Sequence, residues 1–444
     1  MARTKQKPKK STGGHAPRVP IGSVAVVQNE VSPAMELGVE PVAVELSDDI
    51  LNCPHSDECC GTCLNGGTLV ECACGRTLCN VCAPQLTKVS KETLESCTFR
   101  CAACERSRSN YRPSCYFGLY RSDETPLFPT GLRVEPQAYV SIKSRMTSPR
   151  ICIIDIHLPD LIVRGGPGHL LHEYLYPWYH AFTGEARLHY VAHPIDLVKS
   201  TLKKEEQFFR ALGRTVETIS YEHIFIFLTT HSDETRGDLF YEANAACPMS
   251  ELFEALLAPL FKPLAQKDIT FFLLACGGVV DFEDSRNDLQ ATVNQYNINN
   301  CFAFTTKGLI GHAVFPFVNQ YVQSTLLQDS REVGTRVEEL LDQCLSVGRH
   351  THICWFKPNA LPVRYAWTEN TVRPWGHQLP YQCPSCLSVY SWSRKAVRPE
   401  GIEFYCTGAF PNGTKCTNNT IFTNSLLLTN LPNINKGKWM KGGF

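Results

Sequence analysis

The feature that most constrains this chain is the spacing of its cysteines between residues 60 and 104, which reads CGTCLNGGTLVECACGRTLCNVC and then FRCAAC. Cys60 and Cys63, Cys72 and Cys74, Cys79 and Cys82, and Cys101 and Cys104 form four close pairs. A CxxC turn presents two thiolates from one tight loop. Zn2+ takes four tetrahedral ligands, so four pairs supply two ions. So short a segment buries too little apolar surface to fold unaided, and metal binding is expected to supply much of its folding free energy. The chain holds 22 cysteines in all. No apolar run approaches the roughly 18 residues of a membrane helix, and the amino terminus lacks the apolar core of a secretory signal. Paired thiols in such a setting point to metal in a reducing compartment rather than to disulfides.

Gly66-Gly67 and Leu69 ahead of the third ligand, Phe99 two residues before the last pair, and the gap between Cys74 and Cys79 together resemble a PHD finger. The resemblance covers residues 53–115. It implies an interleaved arrangement, in which Cys60, Cys63, Cys79 and Cys82 share one ion and Cys72, Cys74, Cys101 and Cys104 share the other. It also implies a histone-tail reader that takes the tail as an added β-strand beside residues 68–71, with Asp57, Glu58, Leu69 and Glu71 as binding residues. Two departures stand out: Cys72 and Cys74 enclose a single residue, as in RING modules, and Cys79 stands where PHD fingers usually place a histidine; a RING-like ubiquitin ligase stays open as an alternative. Cys53, His55, Cys59, Cys97 and Cys115 stand outside the two-ion scheme, either as ligands of a third ion or as plain thiols.

Ahead of the finger, charge is segregated. Residues 1–20 carry Arg3, Lys5, Lys7, Lys9, Lys10 and Arg18 and no acid, whereas residues 19–75 carry no Lys or Arg and include Glu30, Glu36, Glu40, Glu45, Asp48 and Asp49. The stretch ARTKQKPKKSTGGHAPR, residues 2–18, resembles the tail of the core histone that begins Ala-Arg-Thr-Lys, differing at Lys7, Pro8, Lys9 and His15. Residues 1–50 are therefore expected to be a disordered basic head on an acidic linker. A tail and a reader in one chain suggest self-occupancy, because a tether of about 40 residues spans on the order of 35 Å and raises the local concentration toward millimolar. The overall balance of 43 basic against 43 acidic residues argues against a generic nucleic-acid coat.

After a linker at 116–149, residues 150–357 alternate strand-like runs (RICIIDI, HIFIFLTT, ITFFLLA, FAFTT, HICWF) with amphipathic helical patterns (EEQFFRALGRTVETI, SELFEALLAPLFKPLA). This alternation predicts an α/β fold with a mostly parallel sheet. One strand ends in His231-Ser232-Asp233 and another in Cys276-Gly277-Gly278, which places both side chains at one carboxyl edge if the strands are neighbours. The arrangement resembles the caspase-like cysteine peptidases, including the CHAT and metacaspase groups. That resemblance implies Cys276 as nucleophile and His231 as its proton-transfer partner on a protein substrate. Ser232 departs from the glycine usual after the histidine.

Residues 375–430 hold Cys383, Cys386, Cys406 and Cys416 among strand-like aromatics. Their spacing resembles a zinc ribbon with an enlarged second knuckle, hence a small β-unit around a third Zn2+. The sequence thus leads to a nuclear, with the cytoplasm as alternative, zinc-binding chromatin protein that couples a histone-tail reader to a cysteine peptidase domain. It has no membrane segment and no direct nucleic-acid site. A catalytically silent binding scaffold is the other reading.

Overall fold

The computed structural model describes Arg18, Cys60 and residues 68–73, 76–108, 115–135, 144–146, 150–161, 164–182, 187–197, 200–219, 221–329, 333–369, 371–398, 401–423 and 437–444. The expected ligands Cys63 and Cys74, the binding residues Asp57 and Glu58, and Cys53, His55 and Cys59 lie outside these residues, as does the histone-like stretch except Arg18.

In the finger, β1 (Leu69–Glu71) pairs antiparallel with β2 (Thr77–Cys79), and β3 (Thr98–Phe99) pairs with β4 (Leu119–Tyr120). The last pairing changes the expected boundary. Part of the segment read as a linker, residues 116–135, packs onto the module: Leu119 and Leu132 are buried with Val70, Leu86 and Phe99. The Glu105 carboxylate, buried on the helix Ala102–Arg108, accepts the backbone N–H groups of Phe117 and Gly118 at 2.7 and 2.8 Å. Tyr116 donates its hydroxyl to the Arg100 carbonyl, and the Glu135 N–H closes on the Cys82 carbonyl. A buried acid is costly unless its lone pairs are filled, and here backbone amides fill them.

The α/β domain is built on one eight-stranded sheet. Short strands β5 (Ser144–Met146) and β13 (Leu327–Asp329) form a separate ladder beside it, as do β9 (Leu239–Glu242) and β10 (Ala245–Cys247). The sheet itself uses β6 (Ile151–His157), β7 (Leu188–Pro194), β8 (His223–Thr229), β11 (Asp268–Leu274), β12 (Asn300–Phe304), β14 (Ile353–Phe356) and β15 (Val363–Thr368). The chain then leaves to form a three-stranded ribbon of β16 (Trp392–Arg398), β17 (Gly401–Cys406) and β18 (Asn419–Phe422), and returns as β19 (Lys438–Gly442). The order across the sheet is β19-β15-β14-β12-β11-β8-β6-β7. The five strands from β7 to β12 are parallel, and β14, β15 and β19 join antiparallel. The sheet therefore runs past residue 357, and the ribbon is an excursion between two of its strands.

The near-continuous apolar strands fit a sheet covered on both faces. Ile154, Ile226, Phe271 and Ala303 face helix Leu202–Ile219 and the segment 249–264. Ile153, Phe227, Phe272 and Phe302 face helices Pro167–Phe182 and Gly311–Leu326. Phe227, Phe272 and Phe302 stack in sequence across three strands, with centroids 4.9 and 5.5 Å apart. Strand order reverses at β6, whose neighbours β7 and β8 follow it on opposite sides, and the carboxyl edge at such a switch point is where open α/β sheets place their sites. Among the described residues no helix is long and apolar enough to cross a membrane.

Candidate metal centres and a candidate cysteine–histidine site

Three groups of thiols converge. Cys60, Cys79 and Cys82 have their sulfurs within 4.8 Å of one another, as do Cys72, Cys101 and Cys104. These are members of the first and third pairs, and of the second and fourth. Cys60, Cys79, Cys82, Cys72 and Cys101 are buried, and Cys104 is half-buried. The local fold places them: β2 ends at Cys79, and the following turn brings Cys82 back so that its N–H meets the Cys79 sulfur at 3.3 Å, while the Cys79 N–H meets the Cys60 sulfur at 3.3 Å. The Arg76 guanidinium lies 3.7 Å from the Cys101 sulfur. N–H and guanidinium groups directed at sulfur favour thiolate, the form that binds metal. The expected fourth members, Cys63 and Cys74, are the ones outside the described residues.

In the ribbon all four expected cysteines, Cys383, Cys386, Cys406 and Cys416, are buried and mutually close. Cys383 and Cys416 sulfurs stand 3.8 Å apart, and Cys386 and Cys406 sulfurs 3.5 Å apart. A disulfide holds its sulfurs at about 2.05 Å. Four thiolates at about 2.3 Å from a tetrahedral ion lie about 3.8 Å from each other. The observed separations match the second arrangement. Burial opposes ionisation of Cys383, yet the Asn418 side-chain amide and the backbone N–H groups of Cys386 and Ser385 outweigh it and bring the thiol down to about 6. The donor set and its spacing can hold a metal ion, and their chemistry suits zinc.

At the sheet edge, β8 and β11 pair parallel in a register that sets Thr229 opposite Leu274. His231 and Cys276 each lie two residues beyond that last pair, so two neighbouring strands carry them to the same edge. The Thr230 N–H donates to the Leu274 carbonyl at 3.2 Å, and the Ser232 hydroxyl donates to the Cys276 carbonyl at 3.0 Å. After Ser232 the chain turns tightly, with Asp233 Oδ1 accepting from the N–H groups of Thr235 and Arg236. Gly237, at φ +79°, packs so closely on the Gly278 carbonyl that a Cβ would lie 2.4 Å from its oxygen. A Cβ on Gly277 would lie 2.1 Å from the Thr305 carbonyl oxygen. A Cβ on Gly278 would in turn lie 2.8 Å from the Asp233 carbonyl oxygen, so both glycines after Cys276 are needed for close packing.

His231 is largely buried. Its Nε2 lies 3.5 Å from Asp160 Oδ2, its ring meets Phe240 edge-on at 5.8 Å, and its buried Nδ1 takes no hydrogen bond among the described residues. Cys276 is 4% exposed. Asp160 was not singled out by the sequence. It follows β6, and only the strand order, which sets β6 beside β8, reveals that a residue of the LPD turn reaches the histidine. The acids and base near the edge are engaged: Asp281 with Arg364 at 3.2 Å, and Arg236 with Asp238 at 2.8 Å.

Of the expected tail-binding residues, Leu69 is half-buried and Glu71 exposed, both on β1. Cys97 is half-buried and Cys115 exposed, and neither belongs to a thiol cluster among the described residues. No protein-family model matches this chain, and no curated protein matches it.

Proposed function

We propose that the chain is a zinc-binding chromatin protein in which a PHD-like histone-tail reader is joined to a caspase-like cysteine peptidase domain. The observation that carries the peptidase reading is the parallel register of β8 and β11, which sets His231 and Cys276 at matching positions on one edge. In the proposed reaction the Cys276 sulfur adds to a peptide carbonyl carbon and its proton passes to His231. The C–N bond then breaks as that proton moves to the leaving amine, and water hydrolyses the thioester. The interleaved thiol groups of the finger, with β1 as a short strand bearing Leu69 and Glu71, support the reader. Two zinc ions in the finger and one in the ribbon complete the proposal.

The test is labelling of the purified full chain with a thiol-reactive peptide probe. Labelling at Cys276 that is lost in His231→Ala supports the peptidase, whereas labelling indifferent to His231 removes it. The deep burial of Cys276 favours a second reading, a silent α/β domain that serves as scaffold for the reader. In that case histone-tail peptide binds the chain while Cys276 stays unlabelled.

A further inference from the structure

One basic residue of the histone-like stretch has a defined place in the fold, and it is on the α/β domain. Arg18 donates from Nε and Nη2 to the two carboxylate oxygens of Asp238 at 3.0 and 2.7 Å. Its backbone forms a parallel bridge with Ala246 on β10. Asp238 is 2% exposed and Ala246 fully buried. We propose that Asp238 and the edge of β10 form an arginine-binding site for extended peptide segments, with Arg18 as its resident ligand.

Three features support recognition rather than incidental contact. The two-oxygen, two-nitrogen geometry is the fork that distinguishes guanidinium from ammonium. Backbone pairing to a sheet edge fixes an extended ligand without regard to its other side chains. Glu251 and Asp288 add further negative charge around the Arg18 guanidinium, which favours a second cation beside Arg236.

A fourth feature makes the ligand exchangeable. A buried carboxylate stripped of its only cation is strongly destabilising, which would lock Arg18 in place. Asp238, however, also accepts from Arg236 Nε at 2.8 Å, and Arg236 belongs to the same loop. Departure of Arg18 leaves Asp238 paired. Arg18 itself is 55% exposed along its side chain, so little packing is lost when it leaves. The site is thus complete without its ligand.

The seat adjoins the strand-edge site. Ala246 pairs with Phe240, and Phe240 packs on His231. The inference does not rest on the peptidase reading, since it needs only Asp238, Arg236 and β10.

The experiment is binding of a fluorescent peptide of residues 12–24 to the full chain and to its Arg18→Ala variant. The variant is expected to bind about tenfold or more tightly than the unaltered chain, whose tethered Arg18 competes at high local concentration. Replacing arginine in the peptide by citrulline, which leaves the protein untouched, is expected to weaken binding about tenfold or more by removing the charged fork. Asp238→Asn in the Arg18→Ala background is expected to do the same. Equal affinity of the two chains, equal affinity of the arginine and citrulline peptides, or no binding to the variant overturns the proposal.

Discussion

The Ser232 hydroxyl donates to the Cys276 backbone carbonyl at 3.0 Å, tying the residue after the histidine to the cysteine on the next strand. In the caspase-like peptidases that the sequence resembles, glycine is usual after the histidine, so Ser232 is a departure from that pattern. In the fold it is fully buried and has a partner of its own.

Removing that hydroxyl therefore has a cost. Ser232→Ala is expected to lower stability by about 1 kcal/mol, the net worth of one buried hydrogen bond. It should also slow probe labelling of Cys276, because the cysteine carbonyl loses its anchor. Denaturant midpoints and labelling rates measured on the same preparation check both parts. An unchanged labelling rate would show that the tie does not position the cysteine.

Asp160 stands 3.5 Å from His231 Nε2 and is 55% exposed along its side chain. An exposed pair contributes less than about 1 kcal/mol, so Asp160→Asn is expected to reduce the labelling rate by no more than about fivefold. His231→Ala is expected to abolish His-dependent labelling. A loss in Asp160→Asn as large as in His231→Ala would assign the carboxylate a larger part than its exposure allows.

Each thiol cluster should behave as a separate metal centre. Native mass spectrometry of the full chain is expected to show three zinc ions, one fewer after Cys406→Ser and one fewer after Cys79→Ser. A module with so small an apolar core would draw much of its folding free energy from bound metal, so chelation is expected to expose residues 68–135 to protease while the eight-stranded sheet persists. Retention of all ions in either variant would refute the assignment of that cluster.

Asp155 is buried beneath the start of helix Pro167–Phe182, and burial raises its carboxyl to about 7, against smaller opposing effects of the Tyr190 hydroxyl and the His169 N–H. The folded state thus holds a proton that the unfolded chain releases near pH 4. Stability associated with this group is fully present below that value and is lost as pH rises toward and through 7, by at most about 4 kcal/mol. Asp155→Asn keeps an acceptor without the charge. It is expected to raise the melting temperature at pH 8 and to flatten the decline between pH 5 and pH 8. A variant with the same pH slope as the unaltered chain would mean that Asp155 is ionised throughout at little cost.

Much of this organisation could be read directly from local pattern. The strand-like runs ending at His231 and Cys276 announced themselves because strands buried on both faces are apolar almost throughout, and the ribbon cysteines because a metal knuckle constrains spacing. What was not legible depended on long-range pairing. Tyr116 and Leu119 lie in a stretch with no periodic signal, and they join the cysteine-rich module through the Arg100 carbonyl, the β3–β4 pairing and a shared apolar core. Asp160 reaches His231 because β6 inserts between β7 and β8, a matter of strand order that composition does not encode. β15 reads Val-Arg-Tyr-Ala-Trp-Thr and β19 Lys-Trp-Met-Lys-Gly, so charged residues interrupt the apolar run by which the other strands were recognised.

The ribbon's position has a further consequence. β15 and β19 are antiparallel neighbours whose last pair is Thr368 with Lys438, a geometry that a two-residue turn can close. The three-stranded unit bearing Cys383, Cys386, Cys406 and Cys416 therefore occupies the place of an ordinary hairpin bend. It is an insertion within a connection, and replacing residues 381–423 by a short turn is expected to leave the strands on either side in register.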